Sequence, residues 1–312
     1  MNVRLSLHKY KQTLGVFGLL LAVLAFSAAL SPESFSASHL LNMVRQAAPL
    51  GIAAIAQTLV LLVAGIDLSV GATISLVNIL AASMMMGQNG NIGMAVAVSL
   101  GVSCLIGLIN GVLITRVRIP PFLVTLAMSM VIQGVYMVYS KGSPKGSIAP
   151  GFRYLSDGWL GPVPVSALIW IAVWALFAFL LYKTVWGRKV YATGGNPMTS
   201  LLSGIRTNRM IILMYTLCSL LAGAAGLLLS AYIGVASVGV GNTYTLNTVA
   251  AAVIGGTAFS GGKGGVAGTF AGVLIMILLQ SLLTMLNVPE AGKFISQGLI
   301  IAIMVAINQR RK

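Results

Sequence analysis

Acidic residues are almost absent from this chain of 312 residues, which contains only Glu33, Asp67, Asp157 and Glu290. All charged residues together make up 7% of the sequence, whereas roughly a quarter of the residues in an ordinary soluble domain are charged. Hydrophobic residues make up 58%. This composition excludes an ordinary soluble domain and predicts a chain that lies largely within a lipid bilayer.

The sequence has few of the residues that build catalytic and metal sites. His8 and His39 have no cysteine or carboxylate near them in sequence, and we expect both to be exposed to solvent. Cys104 and Cys218 lie in separate apolar runs without metal-ligand spacing, which predicts two buried thiols. With no paired carboxylates either, we predict no catalytic, cofactor or metal site, and we do not expect an enzyme.

Neither a nucleotide site nor a nucleic-acid surface is indicated. The stretch TAFSGGKGG has Thr257 where a phosphate-binding loop needs its first glycine, and Gly264 where it needs a hydroxyl. The net charge of +15 is spread between apolar runs, and aromatic residues make up only 7% of the chain. Because nucleic-acid surfaces gather basic residues on one face, often with aromatic residues, we predict no nucleic-acid partner.

Apolar runs recur at lengths that suit membrane crossings, which take about 20 residues in helical form. Eight runs predict spans, and two shorter runs need support from neighbouring helices. The eight are residues 14–30, 47–64, 70–86, 92–115, 121–139, 165–182, 210–230 and 265–286, and the two are 246–258 and 294–307. The predicted fold class is all-α, a polytopic membrane bundle of about ten transmembrane segments with interrupted helices, in one domain over residues 1–312.

The basic residues test this topology, because cytoplasmic loops are enriched in Lys and Arg. With a cytoplasmic N-terminus, fourteen of the 19 Lys and Arg residues fall inside and five outside. The inside set is Arg4, Lys9, Lys11, Arg116, Arg118, Lys183, Arg188, Lys189, Arg206, Arg209, Lys263, Arg310, Arg311 and Lys312, and the outside set is Arg45, Lys141, Lys145, Arg153 and Lys293. Both termini are therefore predicted in the cytoplasm. We expect residues 1–30 to be retained, since no small-x-small cleavage site follows their long apolar run.

Two segments predict interruptions of helices. In AGIDLSVGATIS, residues 64–75, Asp67 lies between two apolar runs, with Ser69 and Gly71 after it. Its carboxylate either caps the following helix or is an ionisable group of a pathway. The Gly-rich stretch at 250–272 has a similar order of apolar, Gly and polar residues, and paired interruptions are typical of transporters.

Glycine and proline mark two further features of the predicted bundle. Gly107 and Gly111 are spaced four residues apart within one span, which predicts a close approach of a second helix. In RVRIPPF, residues 116–122, Pro120 and Pro121 predict the end of one helix and the start of the next.

The polar segment GRKVYATGGNPMTSLLSGI, residues 187–205, lies between apolar runs and is rich in basic residues. Asn196 and Pro197 predict a helix start, with Asn as the N-cap and Pro at the first helical position. Leu201, Leu202 and Ile205 then form an apolar stripe, and a glycine at 204 suits the end of the segment. We predict a short amphipathic helix on the basic side of the membrane, which either binds a partner or lies on lipid headgroups.

Four motifs, in this order, resemble those of the sugar-type permeases of bacterial ABC importers, the family that includes ribose, xylose and arabinose permeases. They are AGIDLSVG at 64–71, RIPPFLVTLAM at 118–128, the segment at 187–205, and AAAVIGGTAFSGGKGGVAGT at 250–269. The resemblance covers nearly the whole chain. It implies a multi-pass protein of the bacterial inner membrane that works with a second permease subunit, ATP-binding subunits on the cytoplasmic side and an extracytoplasmic sugar-binding protein.

The resemblance also implies a coupling helix within about residues 194–206, seated in a cleft of the ATPase. Its residues here are Gly195, Asn196, Pro197, Leu201, Leu202, Gly204 and Ile205. This chain has Thr199 and Ser200 where the family usually has two alanines, and Leu201 where it often has arginine. Both a homodimer and a heterodimer of permease subunits therefore stay open.

The implied function is translocation of a pentose or hexose by alternating access, driven by the separate ATPases. Because sugars are uncharged, we expect neutral polar side chains along the path. The candidates, chosen for being polar within predicted spans, are Gln57, Asn78, Asn110, Gln133, Tyr136 and Asn247. The alternative is a secondary carrier or channel that works alone, in which Asp67 would be the ion-coupling residue.

Overall fold

The computed structural model describes residues 3–30, 36–289 and 291–299, and it is almost entirely helical in these ranges. The helices are α1 (Val3–Leu30), α2 (Ala37–Leu62), α3 (Val70–Met85), α4 (Ile92–Val112), α5 (Pro121–Ser140), α6 (Pro150–Asp157), α7 (Val165–Lys183), α8 (Val185–Gly195), α9 (Pro197–Leu202), α10 (Thr207–Ile233), α11 (Asn242–Ile254) and α12 (Val266–Met285). Short elements are a 3₁₀ turn (Asn89–Asn91), a π-turn (Leu113–Val117) after α4 and the antiparallel pair β1 (Trp159–Leu160) and β2 (Val163–Pro164). Residues 291–299 are also helical.

Six helical stretches among the described residues are long and apolar enough to cross a membrane. They are Ala37–Leu62, Asn89–Val117, Pro121–Ser140, Val165–Lys183, Thr207–Ile233 and Val266–Met285. The predicted spans at 47–64, 92–115, 121–139, 165–182, 210–230 and 265–286 overlap them, although the first of these helices begins ten residues earlier than predicted, at Ala37. A polytopic helical bundle is thus confirmed, while the count of ten is larger than the six helices that satisfy length and composition.

The other four predicted spans differ from these six in length or in place. Apolar helix covers Leu14–Ala29 and Val70–Met85, and α11 has 13 residues where the span 246–258 was predicted. A helix of 16 residues is about 24 Å long, less than the ~30 Å of a bilayer core. The predicted span 294–307 extends beyond the described residues. The basic cluster at 310–312 and the acids Glu33 and Glu290 lie outside them.

Burial explains how the short helix α3 is accommodated. Most of its residues are buried, as are all residues of α2 from Ala47 to Leu62. Helix α10 packs against α2, α3 and α4, and α12 packs against α1, α2 and α11. Because α3 is enclosed by protein, the irregular backbone that precedes it finds its hydrogen-bond partners inside the bundle, the condition under which such backbone is tolerated at membrane depth.

The small-residue spacing in α4 marks the predicted close helix contact. A Cβ atom on Gly107 would overlap the Tyr215 carbonyl oxygen of α10, and one on Gly111 would come within 2.7 Å of Ile212 Cα. The absence of side chains at these two positions lets the backbones of α4 and α10 approach each other. The predicted interhelical role of this pair is confirmed.

Several connections lie together at one end of the bundle, which we call the basic end. Gly262 N–H of the α11–α12 connection donates to Leu62 O at the end of α2 (3.0 Å), and Tyr215 Oη of α10 donates to Ile66 O between α2 and α3 (3.2 Å). The two predicted interruptions therefore meet. Eight basic residues belong to segments at this end: Arg116, Arg118, Lys183, Arg188, Lys189, Arg206, Arg209 and Lys263.

The opposite end carries the long connection between α5 and α7. Helix α6 and the β1–β2 pair lie within it, and Asp157 of α6 pairs with Arg45 of α2 (3.4 Å) and with Arg153 (2.9 Å). Ser147 forms an isolated β-bridge with Val235 after α10. The connection is therefore packed onto the bundle.

Candidate coupling surface and polar cavity

The polar segment at the basic end forms two consecutive helices, α8 and α9. Asn196 separates them, and its side-chain Oδ1 accepts a hydrogen bond from Thr199 N–H (3.0 Å). Pro197 occupies the first position of α9. The N-cap and the proline start were predicted from the sequence and are confirmed, whereas the 11-residue helix α8 was not predicted.

Helix α9 ends earlier than the sequence pattern predicted. Its last residue is Leu202, and Gly204 has a positive φ of 81°. Gly204 N–H donates to Leu201 O and Ile205 N–H donates to Ser200 O, both at 3.0 Å. These two bonds form a Schellman motif, in which glycine adopts the left-handed conformation without steric cost. Ile205 therefore lies in the connection to α10, and the prediction that it continues the helical stripe was wrong.

The exposed apolar surface of α9 consists of Met198, Leu201 and Leu202. Their exposed fractions are 65%, 54% and 79%, and their spacing of i, i+3 and i+4 places them on one face. Ser200, in contrast, is buried. Met198 was missed in the sequence analysis, although its spacing of three residues from Leu201 is the signal that places it on this face. We call this face the α9 surface.

Glycine contacts join the end of α8 to both interruptions. A Cβ atom on Gly194 would overlap the Leu62 carbonyl oxygen, and one on Gly262 would lie 2.7 Å from Gly195 Cα. Tyr191 Oη donates to Gly264 O at 2.9 Å, and burial beside Tyr182 raises the pKa of the Tyr191 phenol, so the hydroxyl keeps its proton. The α8–α9 pair thus contacts the ends of α2 and of the α11–α12 connection directly. We call this contact the glycine junction.

Asp67 is fully buried between α2 and α3. Its Oδ1 accepts hydrogen bonds from Ser69 N–H (2.8 Å) and Ser69 Oγ (2.6 Å), while Oδ2 has no conventional partner among the described residues. The Cys218 thiol lies beside the carboxyl group. The N-cap position of α3 is Ser69, so the expectation that Asp67 caps the helix was wrong. Asp67 instead forms a turn with the residue two positions later.

Two of the predicted pathway residues support this turn. Asn110 Nδ2 of α4 donates to Ser69 Oγ at 3.1 Å. In the amide orientation that satisfies both atoms, Gln57 of α2 donates to Asp67 O (3.0 Å) and accepts from Asp67 N–H (3.3 Å). Gly71 packs against Gly241, and a Cβ atom on Gly71 would lie 2.5 Å from the Gly241 carbonyl oxygen. These contacts order the break between α2 and α3.

The turn after α4 agrees with its predicted role. Arg118 has a positive φ of 62°, Pro120 is the residue before α5, and Pro121 begins that helix. Thr125 Oγ1 donates to Pro121 O (2.9 Å), and Ile66 O lies at 3.4 Å from the same hydroxyl. The N-terminus of α5 is thereby connected to the break as well.

The other four pathway candidates do not lie together. Asn78 of α3 is buried and holds the end of α10, donating to Ser230 Oγ (3.1 Å) and Val235 O (3.2 Å). On α5, Gln133 is exposed and bonds to Ser129, while Tyr136 is buried. Asn247 of α11 lines a large cavity near the opposite end. Of the six candidates, Gln57, Asn78 and Asn110 make packing contacts within the bundle, and Asn247 is the one that lines this cavity.

The large cavity lies between α2, α10, α11, α12 and residues 291–299, and its volume is about 570 Å³. It reaches inward to Leu50 and Met276 and has polar residues from three helices around it. His39 is among them and lies 3.4 Å from Ser281 Oγ through Nε2. The expectation that His39 is an exposed bystander was wrong, because its side chain is half-buried and contacts Ser281 of α12.

Comparison with known proteins identifies relatives of the whole chain. Residues 39–304 match the family model described as branched-chain amino acid transport system / permease component. The ribose import permease protein RbsC of Escherichia coli (strain K12) is 36% identical over 304 residues, covering 94% of this chain and 92% of the relative. No solved structure matched.

Two further relatives have names that specify other sugars. The fructose import permease protein FrcC of Rhizobium meliloti is 34% identical, over 97% of this chain and 86% of the relative. The galactose/methyl galactoside import permease protein MglC of Escherichia coli (strain K12) is 30% identical, over 94% of this chain and 93% of the relative.

Proposed function

Because the chain belongs to the family of the branched-chain amino acid transport system / permease component, we propose that it is the membrane-spanning subunit of a bacterial ABC importer for a sugar. The family makes it a multi-pass permease, a transport component rather than an enzyme. The sugar cargo is inferred from the three relatives, which are import permeases for ribose, fructose and galactose. A pentose or hexose is the proposed substrate class.

The observation that carries the proposed mechanism is the α9 surface. Three large apolar side chains are exposed on a capped helix at the basic end, where cytoplasmic loops are expected from their Lys and Arg content. We infer that an ATP-binding subunit covers this surface. The glycine junction then connects the docked subunit to both interruptions, so movement of α9 would be passed to α2, α3 and α12.

We propose the membrane topology and the partner subunits from the basic residues and the family resemblance. Ten transmembrane segments, with both termini in the cytoplasm, agree with the distribution of basic residues. The short segments α3 and α11 are shielded by neighbouring helices. A second permease subunit, identical or different, completes the pathway within membrane lipid. A sugar-binding protein delivers the substrate at the opposite end, and alternating access moves it inward.

A carrier that works alone is the second candidate, and the buried carboxyl of Asp67 favours it. Its Oδ2 has no conventional hydrogen-bond partner among the described residues, so a proton could reside there. Ion-coupled carriers use such groups. Against this, Oδ1 accepts two hydrogen bonds from Ser69, which gives Asp67 a structural role without any proton movement.

The Asp67→Asn variant distinguishes the two candidates. Asparagine keeps an acceptor for Ser69 and removes the titratable proton. Right-side-out vesicles from cells that express the whole transporter are loaded with an ATP-regenerating system. Uptake of labelled D-ribose, D-fructose and D-galactose is then measured. We expect uptake of one of these sugars to require ATP, to survive collapse of the proton gradient, and to stay within about threefold in the variant, the equivalent of about one lost hydrogen bond.

The opposite pattern would support the carrier. Uptake that continues without ATP, stops when the proton gradient collapses and is lost in Asp67→Asn would contradict the proposed function. The Asp67→Ala variant provides the structural comparison, because it leaves Ser69 N–H without its acceptor and is expected to lower thermal stability more than Asp67→Asn.

A further inference from the structure

We propose that the cavity between α2, α10, α11, α12 and residues 291–299 binds a neutral monosaccharide within the permease itself. This inference rests on the proposed function and adds a site to it. The volume of about 570 Å³ lies within the ~300–1,000 Å³ typical of small-molecule sites. The cavity therefore has room for a single sugar ring with some of its water.

Polar residues line the cavity at helical spacing, so each helix presents them on one face. Helix α2 contributes His39, Asn42 and Gln46, at i, i+3 and i+7. The corresponding residues on the other two helices are Thr243 and Asn247 of α11 and Gln280, Ser281 and Thr284 of α12. Amide and hydroxyl side chains from three separate helices thus line the same cavity, although the surrounding sequence is strongly apolar.

The chemistry of this lining suits a neutral polyol. Amides and hydroxyls each donate and accept hydrogen bonds, as sugar hydroxyls do. Tyr244 and Phe294 add aromatic rings against which the C–H face of a sugar can pack. In the described part of the chain the lining includes one basic residue, Lys293, and no carboxylate, so the ammonium group of an amino acid would lose its water there without an ionic partner.

One lining residue carries a polar atom without a partner within the described ranges. Asn247 is 5% exposed, and its Oδ1 has no hydrogen-bond partner among the described residues. A buried carbonyl oxygen without a donor is costly, and native proteins supply one from a ligand or an ordered water. Nearby, the contact between His39 and Ser281 is long, at 3.4 Å, and either group can exchange it for a sugar hydroxyl.

Cysteine protection tests the site in the intact transporter. The Ser281→Cys substitution changes an oxygen to a sulfur inside the cavity, and a membrane-impermeant methanethiosulfonate is applied to right-side-out vesicles. With D-ribose, D-fructose or D-galactose present at ten times its dissociation constant, we expect the sugar that is transported to slow modification about tenfold. The unsubstituted chain gives the background of Cys104 and Cys218.

A matched control lies at the same end of the bundle but outside the cavity. Gln88 is exposed after α3, and the Gln88→Cys variant should react at a rate that no sugar changes. Adding Asn247→Leu to Ser281→Cys should abolish the protection. If Ser281→Cys is poorly inserted, Thr284→Cys gives a second position on the same face of α12.

The possible failures can be told apart. ATP-driven uptake together with an unreactive or unprotected cysteine at 281 and 284 would overturn the cavity site while leaving the proposed function intact. Equal protection of Gln88→Cys and Ser281→Cys by the sugar would also overturn the cavity site. Absence of uptake for every sugar in the panel would count against the proposed function, and sugar protection at 281 alone would then still support the cavity.

Discussion

Replacing Leu201 and Leu202 together with glutamate should abolish co-purification of the ATP-binding subunit with the permease. Their exposed fractions of 54% and 79% leave most of both side chains available to a partner. Full burial of such a side chain is worth about 1.5–3 kcal/mol, so burying the exposed fractions of both contributes about 2–4 kcal/mol, and their loss alone weakens binding by roughly thirtyfold to several hundredfold. Two carboxylates in an apolar cleft add a desolvation penalty. ATP-driven sugar uptake should fall to background in right-side-out vesicles from cells that express this double variant.

The control for this variant must add charge elsewhere. Leu160 is 57% exposed in β1 at the opposite end, and Leu160→Glu should leave co-purification unchanged. The amount of each variant in the membrane, measured by immunoblot, separates lost docking from lost insertion. Retention of the ATPase by the double glutamate variant would show that another surface carries the docking.

Replacing Gly194 with alanine should disconnect the coupling segment from the pathway. The new Cβ atom would overlap the Leu62 carbonyl oxygen, so the ends of α8 and α2 must move apart. Forced overpacking of this kind costs about 1–3 kcal/mol. We expect a lower melting temperature and at least about a tenfold loss of ATP-driven uptake, an effect of about 1.4 kcal/mol on the coupled step. The α9 surface is unchanged, so the ATPase should still co-purify.

The neighbouring residue provides the comparison for this variant. A Cβ atom on Gly195 meets no atom within 4 Å, so Gly195→Ala introduces the same methyl group one residue later without overlap. Its melting temperature should match that of the unsubstituted protein. Equal stability and equal uptake in the two alanine variants would refute a mechanical role for the glycine junction.

Local sequence signals predicted the features that depend on a few adjacent residues. Asn196 and Pro197 start a helix through one side-chain hydrogen bond and one fixed φ angle, and both effects are visible in the sequence. Pro120 and Pro121 act in the same way before α5. The small-residue pair of α4 predicted a close contact, although it could not identify α10 as the partner.

Features that depend on distant residues were harder to predict. The turn at Asp67 is held by Gln57 and Asn110, which come from α2 and α4, so neither could be assigned to it from spacing alone. His39 lines a cavity because α2 packs against α12, more than two hundred residues later. Six polar residues within spans shared no property that separates a packing contact from a pathway lining.

Docking of a cytoplasmic ATPase requires the α9 surface to lie on the cytoplasmic side of the membrane, and this can be measured directly. In cells that express the permease without its ATPase, a cysteine replaces Leu202, whose side chain is 79% exposed. An impermeant thiol reagent is applied to right-side-out and to inside-out vesicles, with Ser281→Cys as the reference for the opposite end. We expect Leu202→Cys to react in inside-out vesicles alone, whereas its reaction in right-side-out vesicles would place α9 outside the cell and rule out docking of a cytoplasmic ATPase on it.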